Sequence, residues 1–393
     1  MTFSRLPLSY CTNVHPGRTV AEVIDGLNHY TAEVRRQLDE PLAAGLWLSR
    51  SVTTELLQDR SNLESLAQTL WQNDLTCYTL NAFPFGDFHT DRVKEQVYLP
   101  DWASTDRLAY TKDCATLLAE LLPAGSEGSI STVPLGGSMN PMEPDFHAAC
   151  FRNLLQMARF LRDLEKSTGR KIRLAIEPEP MCEMSSIPHQ AVPMMRTFLE
   201  LADAHGQLEC AQEYIGLCVD VCHQAVEFED LSASIDLVTK AGIRINKIHI
   251  TNAVELRHPA QNAEAREALL NYVEPRYLHQ IYAKMTDGSI QKRVDLTAED
   301  LQNSDDEFRQ AEAWRIHFHV PVFATELGPL NTTRTDLQAA LGAVLRLPYA
   351  PHLEVETYTW PVMPGTGRNS SLPELICREI QSALELLAEC ESD

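Results

Sequence analysis

Ile172-Arg173-Leu174-Ala175-Ile176-Glu177 and Ile215-Gly216-Leu217-Cys218-Val219-Asp220 are short apolar runs that each end in a carboxylate. The pattern recurs at Ile245-Asn246-Lys247-Ile248-His249 and at Leu353-Glu354-Val355-Glu356. Near-continuous apolar runs of this length read as buried parallel strands, because both faces of such a sheet are covered. In a (β/α)8 barrel the C-terminal ends of the strands face the active site, so polar groups placed there converge. Three carboxylates and one or two imidazoles at one point make a site for a divalent metal ion.

Working outward, further strand-like runs occur at 8–14, 44–48, 74–82 and 128–135, which brings the total to eight. Helical segments with apolar spacing near 3.6 lie between them, at 19–38, 109–122, 146–165 and 190–204. This alternation is the α/β signature. The expected fold is a single (β/α)8 TIM barrel spanning 1–393, with both termini outside it. One region breaks the rhythm. About eighty residues separate His249 from the next clear helix at 334–346, far more than a usual strand-to-helix loop. Within it, Asp287-Gly288 is a hairpin turn signal, and 314–322 is an apolar run interrupted by His317 and His319. An insertion after strand seven, at 258–322, is expected over the barrel mouth. The residues 300–306 are acidic and expected to be exposed, and the long loop 84–102 is rich in aromatic side chains.

The chain has 393 residues, 44% of them hydrophobic, and a formal net charge of −22. That charge repels phosphate backbones and anionic membrane surfaces, so neither nucleic acid nor direct membrane insertion is expected. The opening residues carry no apolar signal segment, and no run of 18 or more apolar residues occurs. The ten cysteines are scattered without a Cys-x-x-Cys pair, which predicts free thiols and a cytoplasmic protein.

The order Glu177, Asp220-Val221-Cys222-His223, His249-Ile250-Thr251-Asn252 and Glu356-Thr357 resembles the xylose isomerase-like TIM barrels, which include sugar isomerases, ketose epimerases and the zinc endonucleases of abasic-site repair. Two longer blocks resemble the EboE family of metabolite traffic proteins. They are Ser9-Tyr10-Cys11-Thr12-Asn13-Val14-His15-Pro16-Gly17, and Asn81-Ala82-Phe83-Pro84-Phe85-Gly86-Asp87-Phe88-His89 with Tyr98-Leu99-Pro100-Asp101-Trp102. This resemblance covers nearly the whole chain. It implies a place in a secondary-metabolism pathway, with a small-molecule metabolite as ligand and proteins of the same pathway as partners.

The resemblance implies Glu177, Asp220, His249 and Glu356 as metal ligands. The donor set suits Zn, Mn, Fe or Co. His223 contacts substrate in the epimerase branch and ligates zinc in the endonuclease branch. His317-x-His319 stands where the endonucleases have Asp-x-His, so His223, His317 and His319 are additional candidate ligands. Glu177 and Glu356, on opposing sides of the ring, are the candidates for removing and returning a proton. His15, His89, His223 and Arg257 are candidate substrate contacts, and Lys94 a further anion contact. Glu179 is expected at the solvent end of its loop, and Gly136-Gly137-Ser138 is a weak candidate phosphate loop. The leading expectation is a metal-dependent isomerase or epimerase. The rivals are a zinc hydrolase and a non-catalytic metabolite carrier.

Overall fold

In a computed structural model, which describes residues 3–137, 143–302, 307–365 and 370–392, the apolar runs form parallel strands. They are β1 (Leu8–Cys11), β2 (Leu42–Trp47), β3 (Leu75–Thr76 and Thr79–Asn81), β4 (Gly128–Thr132), β5 (Ile172–Ile176), β6 (Ile215–Asp220), β7 (Ile245–Ile250) and β8 (His352–Val355). Each pairs with the next in parallel, and β1 pairs with both β2 and β8. The sheet therefore closes into an eight-stranded (β/α)8 barrel. The strands are buried along nearly their whole length because the helices cover their outer faces. Among these are Thr105–Leu121, Phe146–Thr168, Val192–Ala204, Leu231–Lys240 and Arg334–Val344. Phe146–Thr168 stops at Gly169, whose left-handed φ of 70° suits a residue without Cβ. β1 is shorter than the run at 8–14, because Thr12–Val14 forms a 3-10 turn that swings Asn13 into the mouth.

The barrel axis is unusually polar. Such interiors are ordinarily filled by branched apolar side chains. Here Lys247 of β7 is wholly buried, with Nζ 2.6 Å from Glu354 Oε1 of β8. The same Nζ donates across the interior to Ser131 Oγ at 3.2 Å and to the Leu80 carbonyl at 3.4 Å. Ser9 of β1 donates to Glu354 Oε2 at 3.0 Å. Gly45 of β2 makes this possible, since a Cβ there would overlap the Glu354 carboxylate.

A second, antiparallel sheet begins one residue after β7. Its strands are Asn252–Arg257, Ile281–Lys284, Ile290–Arg293, Ala313–Val320, Glu326–Leu327 and Leu330–Thr332. Asp287-Gly288 forms the turn between the second and third, with Gly288 at φ 84°. The sheet thus runs from 252 to 332, outside the bounds 258–322 read from the sequence. Its first strand follows β7 so closely that the two read as one run, and buried Val254 and Leu256 add to the effect.

The C-terminal helix Leu372–Ser392 packs on the barrel and buries Glu379. This carboxylate accepts from Val322 N at 3.0 Å, Thr357 Oγ1 at 2.6 Å and Trp360 Nε1 at 3.1 Å. Burial nevertheless raises its pKa from 4.5 to about 7. The folded state then binds the proton more tightly than the unfolded chain. The stabilisation is full below the unfolded value and is lost as pH rises through the folded one. Stability should fall by on the order of 3 kcal/mol from this group between about pH 5 and pH 8. Urea unfolding of the wild type and of Glu379→Gln at both pH values checks it. The slope is the readout, and equal slopes would sink the assignment.

Candidate metal centre at the barrel mouth

Glu177 follows β5, Asp220 ends β6, His249 lies within β7 and Glu356 follows β8. The geometry of closure brings all four to one point, and each is buried. His249 Nδ1 lies 2.8 Å from Glu356 Oε2, 3.1 Å from Glu177 Oε1 and 3.4 Å from Asp220 Oδ2. One imidazole N–H cannot satisfy three carboxylates, and one imidazolium leaves their charge in excess. Glu177 Oε2 and Asp220 Oδ2 are buried without a hydrogen-bond partner. Ligand atoms of the four residues all lie within 4.8 Å of one another. A divalent cation would supply the missing charge and partners, so the donor set fits one.

The electrostatics follow from this crowding. Burial raises the Glu177 pKa to about 7, against the opposing pull of His249. Burial also disfavours charge on Asp220, but His223, His319 and His249 outweigh it and hold that carboxyl well below its usual range. His249 is pushed down by burial and lifted more by Cys218, Glu356 and Glu177, ending well above an ordinary imidazole. On its far side, His249 Nε2 is 3.3 Å from Glu354 Oε1, the partner of Lys247.

A second cluster adjoins the first. His223 Nδ1 donates to the Pro178 carbonyl at 3.1 Å, and His319 Nδ1 to the Glu356 carbonyl at 2.6 Å. A neutral imidazole that donates from Nδ1 carries a lone pair on Nε2. The two Nε2 atoms face each other at 3.4 Å, and each is 4.0 Å from an Asp220 oxygen. With both rings neutral, acceptors are turned on acceptors; with one ring protonated, its Nε2–H donates to the other. His317 repeats the arrangement. Its Nδ1 is 2.7 Å from Gln280 Oε1, and its buried Nε2 has no hydrogen-bond partner. Gln280 is held in that orientation by donating from Nε2 to Tyr98 Oη at 3.3 Å and to the Pro180 carbonyl at 3.2 Å.

The structure brings together Glu177, Asp220, His249, Glu356, His223, His317 and His319. It does not bring His15 there. His15 lies behind β1, with Nε2 2.9 Å from Tyr10 Oη and its ring stacked on Tyr30. Burial holds its pKa down at about 3. His89 is one step removed, its Nε2 donating to the Asn13 carbonyl at 2.8 Å. Arg257 is an exposed residue at the far end of its strand, paired with Glu255 at 2.6 Å. Glu179 is buried, not solvent-facing: its Oε1 accepts from Tyr98 Oη at 2.9 Å, because the loop after β5 folds back under the second sheet. In the glycine pair, a Cβ on Gly137 would overlap Tyr98, so close packing accounts for that glycine. Ser138, and the 303–306 part of the acidic stretch, lie outside the described residues.

Sequence reasoning missed Asn13 and Asn81, whose Nδ2 atoms both donate to Glu356 Oε1, at 2.8 and 2.7 Å. It also missed Thr251, which donates to Asp220 Oδ1 at 2.7 Å, and the Lys247–Glu354 pair. A signal for that pair was present. Lys247 and Glu354 stand two residues before His249 and Glu356, and residues two apart on a strand share a face.

The (β/α)8 fold is one that solved sugar epimerases share. An L-ribulose 3-epimerase structure superposes with a TM-score of 0.51 at 11% identity, over 100% of this chain and 96% of that one. An IolI protein with a bound zinc atom gives 0.48 at 13%, covering 98% of each chain. A D-tagatose 3-epimerase-like protein gives 0.48 at 11%, over 98% and 99%. At such identities the likeness is one of fold. No protein-family model and no curated protein matches the chain. All ten cysteines are free, and among the described residues no helix is long and apolar enough to cross a membrane.

Proposed function

We propose that this chain is a divalent-metal-dependent isomerase or epimerase acting on a small polyol or sugar-like metabolite. The observation that carries the reading is the meeting of Glu177, Asp220, His249 and Glu356 at the barrel mouth, where Glu177 and Glu356 line a cavity. Those four residues would hold the ion, whose chemistry when bound is Lewis-acid polarisation of adjacent hydroxyl and carbonyl oxygens. Glu177 follows β5 and Glu356 follows β8, three strands apart round the ring, and both line the cavity, so either carboxylate is placed to remove or return a proton from a substrate carbon held above the centre. Asn13 and Asn81 fix Glu356 through Oε1 and leave Oε2 turned to the centre. The EboE-like blocks support a place in a cytoplasmic secondary-metabolite pathway, with other proteins of that pathway as partners.

One observation favours a second reading, a zinc-dependent hydrolase. The facing lone pairs of His223 and His319 beside Asp220, with His317 adjacent, suit further ions. Elemental analysis of the purified protein decides between them. One ion per chain is the expected result for proton transfer, and two or three would move the assignment to hydrolysis. A chain that holds no ion after incubation with Zn, Mn, Fe or Co would remove both.

A further inference from the structure

The cavity above the centre has two unlike halves. Its floor is built from carboxylates and imidazoles, namely Glu177, Glu179, Glu356, His223 and His317. Its sides are apolar, with Phe83, Phe88, Val93, Val97, Leu278 and Tyr358 facing the same space. The apolar side is a packed surface and not a scatter of residues. The Phe88 ring lies 4.9 Å from Tyr277 and 5.4 Å from Tyr358, and the two tyrosines lie 5.0 Å apart. A bare polyol offers such a wall only its C–H edges, and each hydroxyl turned towards the apolar side chains would lose its water without gaining a partner.

The charges of the walls disfavour a different occupant. Among the described lining residues Lys94 is the one lysine or arginine. Its Nζ is already committed to Asp295, and it also donates to the Glu274 carbonyl at 3.5 Å. Apart from the ion proposed for the floor, a phosphoryl group in this cavity would find no unpaired lysine or arginine among the described lining residues, and Glu179 would repel it. Phosphate sites are built the other way, from arginine forks, lysines and exposed backbone amides.

Resting on the polyol-isomerase reading above, we propose that the substrate is an uncharged polyol that carries a compact apolar or aromatic substituent. Its vicinal oxygens lie on the floor, and the substituent lies against the Phe88–Tyr358 wall. Specificity then divides between the halves: the floor selects hydroxyls, and the wall selects a substituted molecule over the free polyol.

The test uses metal-loaded full-length protein and simple probes that avoid sugar stereochemistry. Binding of propane-1,2-diol, racemic 1-phenylethane-1,2-diol, glycerol and glycerol 1-phosphate is measured by calorimetry or ligand-observed NMR. The phenyl diol should bind at least tenfold more tightly than propanediol, and glycerol phosphate no more tightly than glycerol. Val97→Asp, on the partly buried edge of the wall, should weaken the phenyl diol by at least tenfold more than it weakens propanediol, and an equal loss for both overturns the inference. Equal affinity for the two diols overturns the inference and leaves the polyol reading standing, as does tighter binding of glycerol phosphate. If toluene competes as well as the phenyl diol, or Glu356→Gln leaves diol affinity unchanged, the diol does not sit on the floor, and the polyol reading falls along with this one. Absence of binding by every diol has the same consequence.

Discussion

Lys247→Met is expected to cost the barrel about 3–5 kcal/mol, the usual penalty for leaving a buried charge without its partner. Lys247 and Glu354 are both fully buried, and their charged atoms are 2.6 Å apart. Burial alone would discharge either group. Their mutual attraction wins, so Lys247 sits above an ordinary lysine and Glu354 is held down at about 2. Methionine matches the lysine stem in length but brings no charge. Glu354 would then be left with Ser9 and the far nitrogen of His249. Pairing the change with Glu354→Gln should recover part of the loss, because the double variant buries no unpaired charge. Urea unfolding at pH 7 is the measurement. A loss below about 1 kcal/mol in the single variant would show that water or a proton compensates Glu354.

Glu356→Gln is expected to fold normally and to lose metal affinity by more than about 100-fold, with turnover lost alongside; even second-shell partners of a metal site cost 10–100-fold. The reason lies in the fixed donors around it. Glu356 Oε1 accepts from the amides of Asn13 and Asn81, while Oε2 faces His249 and the other carboxylates. A glutamine has one oxygen and one NH2. If its oxygen keeps the two asparagines, the NH2 points into the cluster and repels a cation. If it turns round, the NH2 meets two other donors. Full metal content together with full activity would show that Glu356 is neither ligand nor base. Retained metal with lost turnover would separate the two roles and keep the second.

Much of this was legible in the sequence, for a physical reason. Closed parallel barrels demand strands apolar on both faces, so a carboxylate or imidazole ending such a run stands out, as Glu177, Asp220, His249 and Glu356 do. What could not be read was the direction of residues beyond a strand end. His15 follows β1 closely, yet the 3-10 turn Thr12–Val14 sends Asn13 inward and His15 behind the strand, where Tyr10 holds it. The Pro178-linked Glu179 was assigned to solvent because the cover over it comes from strands more than 100 residues later. Gln280, which sets the orientation of His317, belongs to the same hidden set. Lys247 and Glu354 were passed over for the opposite reason: apolar neighbours on either side made them look like interruptions in a strand.

Thr251 alone stands between β7 and the strand Asn252–Arg257, and its hydroxyl is tied to Asp220. The candidate metal centre and the sheet that supplies His317 to the cavity are thus joined through one residue, itself tied to a candidate ligand. A shift of that sheet would be felt directly at Asp220, so the settling of the roof and the filling of the floor are expected to rise and fall together.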